Sequence, residues 1–202
     1  MTFTDSEWSR ALDGPQLPAT IAVTRCSSHV TLNEQVKPYS FFGARADDAG
    51  QSLRQRLLVT TDFDGRPRRF TGQTDWHIEW RACYEAVRNG CRIGGIVSTV
   101  HVAYTLPRWA DRDSAPTALR DRWDRYIGGL TNHEKGHGAI ALKVAGLIDT
   151  DLVGLVDGDS CASLNARAQS MVEQAMQRGE QMQREYDRMT SHGSAQGAVF
   201  PF

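Results

Sequence analysis

At 202 residues and 22.4 kDa, with 40% hydrophobic and 23% charged residues, the chain is long enough for one well-packed domain and has the make-up of a soluble globular protein. Its 23 Lys+Arg against 24 Asp+Glu leave a formal charge of -1, which excludes an electrostatic case for nucleic acid or for an anionic membrane surface as partner. No apolar run approaches the roughly 20 residues of a membrane-spanning helix, and the opening MTFTDSEWSRALDG lacks the basic start and apolar stretch of a signal peptide.

Residues 1–19 are polar, with Pro15 and Pro18, and read as a loosely ordered lead-in to a single domain over 20–202. Thr20–Cys26 and Leu57–Thr61 have strand composition, and the mixed stretch between them, with Pro38, Gly43 and Gly50, reads as a short helix plus loop. Asp62–Arg69 carries turn chemistry, including Asp64-Gly65 and Pro67. In Thr74–Ala82, Trp76, Ile78 and Trp80 alternate with His77, Glu79 and Arg81, the period-two pattern of a half-buried strand. A second apolar strand runs from Cys91 to Leu106, and Asn89-Gly90 between the two predicts an antiparallel hairpin that Pro107 ends.

After Pro116 the period changes. Trp123, Ile127, Leu130, His137, Ala141, Val144 and Ile148 recur at steps of three or more that share one helical face, predicting a helix of about thirty residues. An Asp- and Gly-rich loop follows, then Ser160 caps a second helix through Leu164, Ala168, Val172, Ala175 and Met182 to about Thr190, where Gly193 stops it. The fold class expected is α+β: an antiparallel sheet followed by two long helices. The tail from Gly193 to Phe202 is apolar near its end and is expected to pack.

The first long helix contains His133-Glu134-Lys135-Gly136-His137. Residues four apart share a helix face, so both imidazoles can address one ion, for which zinc is the natural choice. Glu134 then lies beside the open coordination position, where it can take a proton from a water attacking a carbonyl. Gly136 and Gly138 each cost a helix roughly 1 kcal/mol relative to Ala, which points to close approach of another backbone or of substrate there. His29 reads as a solvated loop residue and His77 as a surface strand residue. His101 lies opposite Val100 and Val102, on a face that could border a cleft. The four cysteines form no CxxC pair, so a cysteine-built zinc site is not expected.

Thr74-Asp75-Trp76, Thr105-Leu106-Pro107 with Trp109, Trp123, the HExxH and the tail Tyr186-Asp187…Thr190…His192-Gly193…Gln196-Gly197-Ala198 together resemble a bacterial domain-of-unknown-function family described as predicted secreted zinc-dependent proteases. The match spans roughly residues 20–202, and the YDxxTxHGxxQGA tail is its most distinctive part. Cys91 and Cys161 also resemble family positions. The resemblance implies a protease, a peptide or protein substrate, and a secreted or periplasmic location in bacteria.

The expected protein is a zincin-like zinc metallopeptidase, with zinc on His133, His137 and a third ligand, Glu134 as the proton carrier and Tyr186 as oxyanion donor. The rival readings are a metal-stabilised binding or assembly domain without turnover and a metal-dependent amidase on cell-wall peptides. For the third ligand two arguments disagree. If the long helices are antiparallel rods, Glu173 falls level with the HExxH. The tail motif favours His192 instead, at a helix end from which the chain can turn back, and His192 is the expected ligand with Glu173 and Asp187 as alternatives. A Cys91–Cys161 disulfide is expected, joining the start of the long strand to the start of the last helix. Cys26 and Cys83 are left free or paired.

Overall fold

The computed structural model describes residues 26–61 and 65–202. The lead-in, nearly all of the expected Thr20–Cys26 strand and residues 62–64 of the expected turn lie outside them. The described chain is α+β with a mixed sheet and three helices: β1 (His29–Phe41), α1 (Ala46–Gln55), β2 (Leu58–Thr61), β3 (Pro67–Phe70), β4 (Gln73–Val87), β5 (Gly90–Trp109), α2 (Thr117–Leu152), β6 (Val156–Asp157) and α3 (Cys161–Thr190).

The main sheet has the order β1-β5-β4, with β6 beside the start of β5. The β4–β5 hairpin is antiparallel as the alternation predicts, Val87 pairing with Gly90 across Arg88-Asn89. The expectation of a wholly antiparallel sheet is corrected by β1, which runs parallel to β5 from His29↔Val97 to Phe41↔Trp109. A parallel neighbour needs a long return connection, and here α1, the β2–β3 hairpin and β4 supply it. Where a short helix and loop were expected, the chain thus makes a thirteen-residue strand and then α1. Asn33, Glu34, Gln35 and Lys37 obscure the alternation, and Pro38 is tolerated because β1 is an edge strand among the described residues. For the same reason of tertiary pairing, Pro107 does not end β5, which continues two residues to Trp109. Arg68 and Arg69 lie in β3 rather than in a turn.

Both long helices form where the 3.6-residue period places them. Ser160 caps α3, its Oγ accepting from Ser163 N at 3.0 Å. They cover one sheet face through two clusters. One gathers Phe41, Trp109, Trp123 and Tyr126, and the tail seals it with Phe200 and Phe202. The other gathers Cys91, Ile93, Ile96, Ile148, Leu152 and Leu164, and Trp76 and Ile78 of β4 pack against both. Two disulfides fasten the sheet's flank. Cys91–Cys161 joins the start of β5 to the start of α3 as expected, and Cys26–Cys83 ties the segment before β1 to β4. Such a pair of bridges fits an oxidising, extracellular or periplasmic compartment. No helix is long and apolar enough to cross a membrane among the described residues.

Candidate metal centre

Helix periodicity puts His133 and His137 one above the other on α2, as the motif requires. Their partners come from the second half of α3 and the tail. Along α3 the buried stripe runs Leu164, Ala168, Val172, Ala175, Gly179 and then, at the same spacing, Gln183 and Asp187. Two polar residues on an otherwise apolar stripe are the sequence signal for a polar centre inside the fold.

His133 Nε2 and His137 Nε2 lie 3.3 Å apart, and Asp187 Oδ1 is 3.2 Å from the first and 3.1 Å from the second. Four ligands at 2.0–2.1 Å around tetrahedral zinc are about 3.3 Å apart, so the three donors fit three corners of such a site. The far side of each ring is also fixed. Gln183 donates its Nε2–H to the His137 carbonyl at 3.1 Å, which turns its Oε1 onto His137 Nδ1. A carbonyl oxygen only accepts, so Nδ1 carries the proton and Nε2 presents a lone pair to the centre. His133 Nδ1 is held likewise by Gln196 Oε1 at 3.1 Å, with Thr190 Oγ1 at 3.3 Å. Two imidazole lone pairs and a carboxylate converging on one point call for a positive charge between them.

The electrostatics agree. Burial raises the Asp187 carboxyl, but the hydrogen-bonding imidazoles more than reverse this and hold it well below the usual carboxylate range. Burial lowers His137, but Asp187, with Gln183 and Glu134 adding to it, raises it overall, the same field that draws a positive charge, proton or metal ion, to its Nε2. Glu134 is buried, which pushes its carboxyl up against the opposing pull of Thr74, whose hydroxyl donates to Oε2 at 2.7 Å, and of the two imidazoles. A Cβ on Gly72 would lie 2.6 Å from Glu134 Oε1, so the β3–β4 junction closes directly over this carboxylate. Glu134, His133, His137 and Asp187 border a cleft of about 610 Å³ whose walls include Phe70, Thr74, Trp76, Arg184 and His192.

Glu173 is exposed and sits one position off the buried stripe, away from the cleft. The rod arithmetic that favoured it fails because residues 153–160 do not form a tight turn. They lay β6 on β5, and Cys161 is bound to Cys91, so α3 starts beyond the end of α2. Gly179 therefore meets Val144, and Tyr186 meets Gly136, a register shifted by roughly four helical turns. His192 stands at the cleft, beside Phe70, with Nδ1 3.6 Å from Asp187 Oδ1, half-exposed and outside the three-donor group. Tyr186 is not on the cleft wall. Its ring stacks on His133 at 5.1 Å and its hydroxyl donates to the His133 carbonyl at 3.2 Å and accepts from Gln196 Nε2 at 3.1 Å.

Most residues of the tail motif thus belong to one unit. Tyr186 backs His133, Asp187 enters the centre and Thr190 and Gln196 address His133 Nδ1. Gly193, at φ 82°, lets the tail turn so closely that a Cβ would sit 2.9 Å from the His133 ring. The two helix glycines are explained too. A Cβ on Gly136 would lie 2.0 Å from the Tyr186 hydroxyl, and one on Gly138 would lie 2.2 Å from the Tyr104 hydroxyl. Thr74, Gln183, Thr190 and Gln196 were not singled out as site residues from sequence, although three of them lie in segments quoted for the resemblance.

No curated protein and no solved structure matches the chain. The model of the bacterial proteins of unknown function called DUF922 matches residues 36–193, most of the chain and both helices that build the centre, and the chain belongs to that family.

Proposed function

We propose that the chain is a zinc-dependent metallopeptidase, acting in the periplasm or outside the cell. The observation that carries this is the convergence of His133 Nε2, His137 Nε2 and Asp187 Oδ1, with both Nδ1 atoms spent on glutamine oxygens. In this reading His133, His137 and Asp187 hold the metal. Asp187 replaces His192 as the third ligand and leaves His192 at the cleft to contact substrate. Zinc there would supply a Lewis acid that polarises a carbonyl and promotes ionisation of water.

The chain supplies the remaining steps. Glu134, held by Thr74 at the cleft floor, accepts the proton of the attacking water and delivers it to the departing amine. Its burial raises its proton affinity, which suits a group that must both take and return a proton. Tyr186 is a positioning residue, fixing the His133 ring from behind rather than donating to an oxyanion. The open cleft and the buried carboxylate beside the donors favour hydrolysis over a purely structural metal, whose coordination would be closed.

The test is zinc analysis of purified protein followed by digestion of peptide and peptidoglycan-peptide libraries with and without chelator. Chelator-sensitive cleavage of ordinary peptide bonds supports the peptidase reading, and cleavage confined to cell-wall peptides redirects it to the amidase. Zinc that His133→Ala removes, with no turnover by the wild type on either library, overturns the enzymatic reading.

A further inference from the structure

The sheet face turned away from the helices carries a second group of donors. The β4–β5 register sets His77 directly opposite His101, a spacing that brings cross-strand Cβ atoms to about 5 Å. The two rings lie parallel, 4.4 Å apart with 3° between their planes. Glu79, two residues on and so on the same face, brings Oε1 to 4.0 Å from His77 Nε2 and 3.8 Å from His101 Nε2. All three donor atoms fall within 4.8 Å of one another.

His101 Nε2 is itself closed to solvent and has no hydrogen-bond partner among the described residues. A buried polar nitrogen left in that state has lost its water without gaining a partner, a cost that a bound cation would relieve. Ligands on one zinc or copper ion are about 3.3–3.5 Å apart, so the two spacings from Glu79 need an adjustment of about half an ångström. Glu79, with its side chain 70% exposed, is free to make it.

We propose that His77, Glu79 and His101 form a second divalent-metal site, for an ion of the zinc or copper class that favours imidazole with one carboxylate. Solvent fills the remaining coordination positions. The ion clips β4 to β5 on the face opposite Thr74 and Trp76, two of the β4 residues that border the cleft. The site shares no residue with the HExxH centre and stands whether or not that centre binds metal.

The experiment is zinc stoichiometry by mass spectrometry on the full chain, stripped with chelator, disulfides intact, and dialysed against zinc. Wild type is expected to hold two equivalents, His101→Gln one and His133→Ala one. Glu79→Gln is expected to weaken the outer site at least tenfold in a competition titration. His77→Gln, at a more exposed position, gives the same reading if His101→Gln alters the far-UV spectrum. Wild type with a single equivalent that His133→Ala removes and His101→Gln spares overturns the proposal. A single equivalent lost in His101→Gln and kept in His133→Ala supports it, and overturns the cleft centre instead. A wild type that binds none overturns both.

Discussion

Gly136→Ala separates the packing of the centre from the propensity of the helix. Glycine to alanine in a helix interior gains roughly 1 kcal/mol if nothing else changes. Here the new Cβ would fall 2.0 Å from Tyr186 Oη and 2.3 Å from Cζ, so the ring has to leave. The Tyr186 side chain is not free to swing: it stacks on His133, and its hydroxyl bridges the His133 carbonyl and Gln196. Overpacking of this kind costs about 1–3 kcal/mol, and two hydrogen bonds add about 1 kcal/mol each. The net is a loss of about 2–4 kcal/mol, or roughly 4–16 °C in Tm for a chain of this size. Gly146 is the internal control, since among the described residues no atom beyond its chain neighbours and its own helical backbone lies within 4 Å of its added Cβ. Gly146→Ala is expected to raise Tm by roughly 2–4 °C. Differential scanning calorimetry reads both, and Tyr186→Leu combined with Gly136→Ala should recover at least about 1 kcal/mol in a double-mutant cycle. If Gly136→Ala is as stabilising as Gly146→Ala, Tyr186 does not pack against the centre and the account of the tail motif is wrong.

The remaining expectations bear on the centre and the bridges. Asp187→Asn should strip zinc from the HExxH site, Gln183→Ala should weaken it by about 10–100-fold, and Glu173→Ala should change nothing, all read by competition with a chromogenic chelator. A His192→Ala variant that loses zinc while Asp187→Asn keeps it would reverse the ligand assignment. Glu134→Gln should retain zinc and fold while hydrolysis falls by at least about 10²-fold; wild-type turnover in that variant would remove Glu134 from the mechanism. Replacing Cys91 and Cys161 together with serine should cost roughly 4 kcal/mol on the chain-entropy model for a separation of 70 residues, and an unchanged Tm would show that the bridge does not constrain the unfolded chain.

The residues of α2 and α3, the β4–β5 hairpin, the Ser160 cap and the shared face of His133 and His137 were all legible in the sequence. Each is set by local rules: a period of 3.6 or 2, a capping side chain, a two-residue turn. Strand β1 was not, because its polar residues hide the alternation and its parallel partner β5 lies about seventy residues away. The third donor was not legible either. Arithmetic along two rods pointed to Glu173, and motif shape pointed to His192. Which residue faces an HExxH depends on the register between helices, and that is fixed by β6 and the Cys91–Cys161 bridge, outside both. The stripe of α3 nevertheless held the clue: Gln183 and Asp187 stand where apolar residues belong. The sequence determined that two imidazoles and a glutamate share one helical face. Only the tertiary structure decided that Asp187 meets them, because a donor's position across an interface follows from long-range packing that no local period encodes.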